Sequence, residues 1–355
     1  MEPNLTDRVI TGWGVVSSLG IGKEAFGRHL INRKVPDSLR LDAFSAADYV
    51  GRKGTRLYDR ITQFAVVAAH ETIHGASREP VAGAETGFVL GSTFGGLRSN
   101  CDFIRSIQQE KPHLIDGSAF PSTVMNYAAG QVAIRFGLTG PNATLSGGRL
   151  ASLQALHYAD RCIRSGQAGR LLAGGAEEWN EQLEWGFRSV YGKSPRLGEG
   201  SAVILLETLE SAMQHHREPL VRYLGCSIRL LPRYFDRDHA DFFISGLAGC
   251  ISNVLERSGV EPTAEQVIVL HSTRSDEELG HVEEQAVREA IGGPVKHVRI
   301  KELVGECYSA SGMFQVAAYL AMIENRCEDL PRYALVLSVE SNGMMGCALV
   351  SRWIA

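Results

Sequence analysis

The sequence predicts an α/β protein in which one unit is built twice, giving a five-layer α-β-α-β-α body. Three observations carry this. Short apolar strands alternate with helical periodicity along the chain. The pattern V-L-G-S-T at Val89–Thr93 is answered by V-L-H-S-T at Val269–Thr273. The length of 355 residues exceeds what one minimal core needs.

The elements follow in matched order. Arg8 to Val16 reads as a strand, and Leu220 to Leu231 as its counterpart. In 58–75, Ile61, Phe64, Ala65, Ala68 and Thr72 recur at helical spacing, as Phe243, Leu247, Ile251, Val254 and Leu255 do in 241–257. The strands Phe88 to Leu90 and Val267 to Leu270 come next. Polar helical segments follow at about 97–110 and 276–291. The strands Ala143 to Ser146 and Val295 to Ile300 lead through glycine-containing turns into alanine-rich helices at 149–165 and 307–325. Each half closes with two strands, Arg170 to Ala173 with Ala202 to Glu207, and Ala334 to Ser338 with Cys347 to Ser351. V-I-V-L and A-V-I-L-L have no polar face, which predicts burial on both faces in mostly parallel sheets. The halves divide at 1–219 and 220–355.

Composition bounds the function. Apolar content of 44% and charged content of 21% are ordinary for a soluble globular chain. No apolar run reaches membrane-spanning length, and the polar opening M-E-P-N-L-T-D-R does not read as a signal peptide. The seven cysteines form no close pair, so neither a disulfide framework nor a metal cluster is expected and a reducing cytoplasm fits. A net charge of −4 argues against broad nucleic-acid binding. The run Arg52, Lys53, Arg56 and Arg60 reads as a solvated face, with contact to an acidic partner as the alternative.

The stretch L-S-G-G-R-L-A-S-L-Q-A-L, 145–156, takes a strand through a glycine turn straight into a helix. The first helical side chain then sits at the positive end of the helix dipole, a place that suits a thiolate. It is Arg149, whose guanidinium is no nucleophile.

Six segments resemble the β-ketoacyl synthases of fatty acid and polyketide synthesis, within the thiolase fold. R-V-I-T-G-W-G-V-V-S at 8–17 resembles the family's opening strand and turn. P-S-T-V-M-N-Y-A-A-G-Q-V-A-I-R-F-G-L-T-G-P at 121–141 resembles the segment ahead of the nucleophile. L-A-G-G-A-E-E at 172–178 and L-G-E-G-S-A-V-I-L-L-E at 197–207 resemble two later strands. H-S-T-R-S at 271–275 resembles H-G-T-S-T, and K-E-L-V-G-E-C-Y-S-A-S-G at 301–312 resembles K-S-M-T-G-H-L-L-G-A-A-G.

The resemblance implies a decarboxylating condensation with a cysteine nucleophile, two histidines and an orienting lysine–carboxylate pair. Counting back from Ala173-Gly174-Gly175 places the nucleophile at Arg149, with Gly166 on the matching helix-end glycine. His271 matches the first histidine, while Glu306 replaces the second. Arg149 and Glu306 are expected at equivalent, facing places in the two halves, as a buried ion pair. Lys301 and Glu284 match the lysine and the carboxylate and are expected as a structural pair. Cys162 lies about 20 Å along the helix at 1.5 Å per residue, and Cys307 reads as a small buried residue. Glu340-Ser341-Asn342-Gly343-Met344-Met345 replaces a glycine-rich gating loop, and the region between Glu178 and Gly198 is shorter than usual.

These expectations point to a catalytically degenerate subunit. It resembles the chain-length factor, or ketosynthase β subunit, of type II polyketide systems, including those making aromatic products or aryl polyenes. Its expected partners are an active ketosynthase subunit, an acyl carrier protein and the growing acyl chain, with no cofactor and no metal. Segment 97–135 is expected to supply dimer and tunnel surface. The alternative is an enzyme of other chemistry: malonyl-carrier-protein decarboxylation with Arg149 as electrostatic donor, or acyl transfer or cyclisation using His271 with Ser146 or Ser152. A pure scaffold is the third reading.

Overall fold

The structure is a computed structural model that describes residues 4–76, 81, 83, 85–109 and 112–354. The expected helical segment 97–110 and the tunnel segment 97–135 therefore include residues outside the described ones. The first half opens with β1 (Arg8–Ser17), which folds back on β2 (Gly20–Ile21). It continues through α1 (Arg60–Ala76), β3 (Thr86–Gly91), α2 (Leu97–Gln109), α3 (Tyr127–Phe136) and β4 (Asn142–Leu145). It ends with α4 (Ala151–Arg164), β5 (Arg170–Glu177), α5 (Glu181–Tyr191) and β6 (Gly200–Thr208). The second half runs β7 (Val221–Leu230), α6 (Ala240–Ser258), β8 (Val267–Leu270), α7 (Glu278–Ile291) and β9 (Lys296–Val298). It closes with α8 (Ser311–Glu324), β10 (Tyr333–Val339) and β11 (Met344–Arg352).

The strand order is β4-β3-β5-β6-β1-β7-β11-β10-β8-β9. Read outward from the middle, β1-β6-β5-β3-β4 and β7-β11-β10-β8-β9 follow one topology. The halves join where Arg8, Val9 and Ile10 pair with Tyr223, Arg222 and Val221. The sheets are mixed, which corrects the expectation of mostly parallel pairing. β3 runs parallel to β4 and β5, and β8 to β9 and β10. β6 and β11, by contrast, pair antiparallel on both sides. A buried apolar strand does not encode its direction. The turn at 340–343 is too short for a parallel crossover, so β11 must return antiparallel to β10.

Side-chain alternation builds the layers. Phe88 and Leu90 of β3 face Phe64, Val67 and Val132 of α1 and α3. Val89 points the other way, into a central layer with Leu153 and Leu156 of α4 and Met313 and Phe314 of α8. Ile268 and Leu270 of β8 reach this layer from the second sheet. Val267 and Val269 face away, toward Phe243, Leu247 and Val282 of α6 and α7. The result is an α-β-α-β-α body. Helix α8, buried from Ser311 to Ala321, has no solvated face, as a central-layer helix requires.

Glycines bring the two central helices onto the strand ends. A Cβ at Gly175 would lie 2.3 Å from the Ser309 carbonyl oxygen, and one at Gly91 2.5 Å from the Ala151 carbonyl carbon. The starts of α4 and α8 therefore meet beside the ends of β3 and β5.

Candidate functional site

A three-residue 3-10 turn, Gly148–Leu150, feeds α4. Gly148 has φ 56°, and a Cβ there would collide with the Glu340 carboxylate. Only glycine fits, and through that opening Glu340 accepts a hydrogen bond from the Arg149 backbone N–H. The Arg149 guanidinium turns inward. Its Nη2 lies 2.5 Å from Glu306 Oε2 and 3.3 Å from Glu277 Oε2, and its Nη1 donates to the Val339 carbonyl at 3.4 Å. Lys301 Nζ completes the cluster, 2.5 Å from Glu306 Oε2 and 2.7 Å from Glu277 Oε1.

Two cations thus face three carboxylates, Glu277, Glu306 and Glu340. Burial pushes the Glu306 carboxyl up, but Arg149 and then Lys301 overcome this and hold it at about 2. Burial works against the Arg149 charge, and Glu306 and then Glu277 more than offset it, so the guanidinium is held above its ordinary range. The Glu340 carboxyl is raised, chiefly by burial. Arg149 Nη2 and Lys301 Nζ donate to protein carboxylates, and Arg149 Nη1 donates to the Val339 carbonyl.

Arg149 and Glu306 are not strictly equivalent, which corrects the expected register. The second turn has its positive-φ residue at Tyr308 (φ 37°), a 3-10 turn at Tyr308–Ala310 and α8 from Ser311. Matching Gly148 with Tyr308 aligns Arg149 with Ser309 and Glu306 with Ser146. The side chains meet because backbone bonds fix Glu306: its N–H donates to the Arg196 carbonyl at 2.7 Å, and its carbonyl accepts from the Gly198 N–H at 2.9 Å.

His271 sits fully buried just past β8, with both ring nitrogens engaged. Nδ1 lies 3.0 Å from Glu283 Oε2 and Nε2 lies 2.8 Å from His297 Nδ1. Glu283 also accepts from the Ser272 N–H and hydroxyl, at 3.0 and 2.6 Å, and from the Thr273 hydroxyl at 2.5 Å. Burial raises the Glu283 carboxyl, and His271 with the two hydroxyls brings it down to about 2. His271 therefore offers no ring nitrogen to a ligand beside Arg149.

The expected Lys301–Glu284 pair does not form. Lys301 pairs with Glu277 and Glu306, while Glu284 is half-exposed and binds Arg299 Nη2 at 2.6 Å. Glu283 is the carboxylate that faces inward. One residue is a 100° step around a helix, and the sequence E-E at 283–284 does not say which carboxylate takes the inner face.

The other candidates are dispersed. Ser146 is exposed, and its hydroxyl donates to the Thr93 carbonyl at 3.3 Å. Ser152 is buried with no hydrogen-bond partner among the described residues. Cys162 is on the last turn of α4, with its thiol raised chiefly by burial. Cys307 is buried, and burial keeps its thiol well above the usual range. Of the basic run, Arg52, Lys53 and Arg56 are exposed, whereas Arg60 turns in to Glu199 at 2.6 Å.

Sequence reasoning missed Glu277, Glu283, Glu340, His297 and the pair Glu177–Glu178. Glu177 accepts from the Ser309 hydroxyl at 2.7 Å and the Thr93 N–H at 2.9 Å, linking the start of α8 to the loop after β3. Burial raises its carboxyl to about 7 against those bonds, and burial raises Glu178 to about 8. Among the described residues no group of histidines, cysteines and carboxylates is arranged to hold a metal, and no helix is long and apolar enough to cross a membrane.

The first sheet ends at β4, which borders an open groove of about 880 Å³ between Leu145, Tyr158, Cys162 and Ile228. Nearby in sequence, Ile104, Ile107, Leu114, Phe120, Val124 and Met125 are exposed.

Comparison with known proteins gives a consistent family. The profile described as "Beta-ketoacyl synthase, N-terminal domain" matches residues 35–212. The chloroplastic 3-oxoacyl-[acyl-carrier-protein] synthase I of Arabidopsis thaliana is 25% identical over 89% of this chain and 75% of its own length. A chain of the ishigamide ketosynthase/chain length factor is 30% identical, with a TM-score of 0.81 over 98% of this chain and 99% of that one. A chain from a type II PKS acyl-carrier protein in complex with its ketosynthase shares the fold, with a TM-score of 0.82 at 20% identity over 99% and 100% of the two chains.

Proposed function

The chain belongs to the β-ketoacyl synthase family, and on that premise we propose that it is a non-catalytic partner subunit: a chain-length factor that pairs with an active ketosynthase and shapes the tunnel of a growing polyketide. One observation carries the reading. At the helix start where the resemblance puts the nucleophile, Arg149 is tied by its side chain to Glu306 and Glu277 and by its N–H to Glu340. Nothing there can hold an acyl group, and the donors that would steady a developing oxyanion are engaged.

Two further features support pairing. β4 is an edge strand, which invites a neighbour unless it is covered. The exposed apolar side chains between Ile104 and Met125 make a surface suited to an obligate partner. In this reading 97–135 supplies dimer and tunnel surface to the pair. The exposed Arg52, Lys53 and Arg56 offer positive charge to a carrier protein that loads the partner. The halves 1–219 and 220–355 are the two thiolase-like units of this body.

The decarboxylase alternative gains nothing from the geometry. A cluster with three carboxylates against two cations repels a malonyl carboxylate, and the Arg149 guanidinium is already committed to Glu306, Glu277 and the Val339 carbonyl. Co-expression with a ketosynthase that retains its cysteine tests the proposal. A stable heterodimer is expected on gel filtration, and a chain that stays monomeric and never co-purifies overturns it.

A further inference from the structure

The region between Glu178 and Gly198 borders a hollow. It measures about 460 Å³ and lies among Arg40, Trp179, Arg188, Lys193, Arg196 and Leu197. We infer that this hollow is a binding pocket for a small phosphate-bearing anion, separate from the Arg149 cluster. The inference does not depend on the partner-subunit reading.

Charge is the first ground. Four cationic side chains line the hollow against a single carboxylate, Glu184. That carboxylate is already matched twice, by Arg188 Nη2 at 2.5 Å and by Arg40 Nη2 at 3.6 Å. Among the described residues no carboxylate pairs with Lys193 or Arg196, so the lining keeps a net positive charge for an anion to neutralise.

Rigidity is the second ground. The Arg40 guanidinium stacks on Trp179 with 3.3 Å between its central carbon and the ring centroid, which holds its donors in one plane. The walls on either side are pinned from beneath by Glu199, which is 2% exposed. Its carboxylate accepts from the Leu41 N–H at 2.6 Å and the Trp179 N–H at 3.2 Å, and Arg60 neutralises it at 2.6 Å. Arg196 and Leu197 are tied to the turn ahead of α8 through the Leu197–Glu306 bridge. The pocket is therefore largely formed before any ligand arrives.

Its size and fork-shaped donors suit a phosphate monoester or a diphosphate rather than a long acyl chain. Inorganic pyrophosphate is the probe. Calorimetric titration into the full-length protein at 0.15 M salt should give saturable one-site binding, since screening at that ionic strength suppresses diffuse attraction. The Lys193→Ala/Arg196→Ala variant should weaken it by at least about tenfold while keeping the melting temperature of the free protein. An Arg52→Ala/Lys53→Ala variant, which removes the same charge elsewhere, should bind as the parent does. Absence of saturable binding, equal binding by the Lys193/Arg196 variant, or equal weakening by the Arg52/Lys53 variant overturns the proposal.

Discussion

Glu306 Oε2 lies 2.5 Å from both Arg149 Nη2 and Lys301 Nζ, so one buried carboxylate holds two cations that come from different halves of the chain. Such a cluster adds little net stability when complete, because desolvation offsets attraction, but it is costly to leave incomplete.

Removing Glu306 should therefore be severe. Glu306→Ala leaves Arg149 and Lys301 sharing the partly exposed Glu277, and an unfolding free energy lower by about 3–5 kcal/mol is expected. Arg149→Met/Glu306→Met should cost less than the sum of its single changes. Urea denaturation of the four proteins checks this, and strict additivity would mean that the pair is not coupled.

Restoring a thiol should not restore chemistry. In Arg149→Cys the new thiol would face Glu306, Glu277 and Glu340 with Lys301 as the one cation, so its pKa should rise above the ordinary value of about 8.5. The Glu340 carboxylate would still occupy the residue-149 N–H. Iodoacetamide alkylation followed against pH should give a midpoint above that value, and no acyl adduct should accumulate from an acyl donor.

Acid and base should act on different groups. Glu283 and Glu306 have folded pKa values near 2, below their unfolded values, so their stabilisation is present above about pH 4.5 and is lost as pH falls toward 2. Glu177 and Glu178 are raised to about 7 and 8, so the folded state binds more protons and stability declines as pH rises from about 4.5 to 8. At about 1.36 kcal/mol per unit, the latter effect is on the order of a few kcal/mol for each carboxyl. Glu178→Gln should flatten the decline between pH 5 and 8, read from melting temperatures across that range.

The segment 101–125 should set product length in the reconstituted pair. Ala119→Phe and Thr123→Phe enlarge the exposed 3-10 turn Gly117–Thr123 without touching the cores. Shorter products by mass spectrometry are expected, with folding unchanged. An unaltered product spectrum would remove this segment from the tunnel wall.

The duplicated order of elements was legible because strand and helix periods differ and the two halves repeat them in step. Val267–Leu270 is a continuous apolar run, buried along its whole length. What the pattern could not give was direction and facing. Nothing in β11 says that it returns antiparallel, and nothing in E-E at 283–284 says which carboxylate turns toward His271. The Arg149 cluster was half visible. Arg149, Glu306 and Lys301 lie in motifs whose spacing marks them. Glu277 comes from a loop with no such signal, and Glu340 was marked only as the start of an altered loop; they reach the cluster because the start of α7 and the end of β10 converge there.

In the proposed pair this chain carries no acyl intermediate while its partner does. Intact-protein mass spectrometry of the co-purified pair, after incubation with an acyl-loaded carrier protein, tests this most directly. An acyl adduct is expected on the partner's cysteine, with an unchanged mass for this chain. An acyl adduct on this chain, above all one that persists when the partner's cysteine is replaced by alanine, would contradict it.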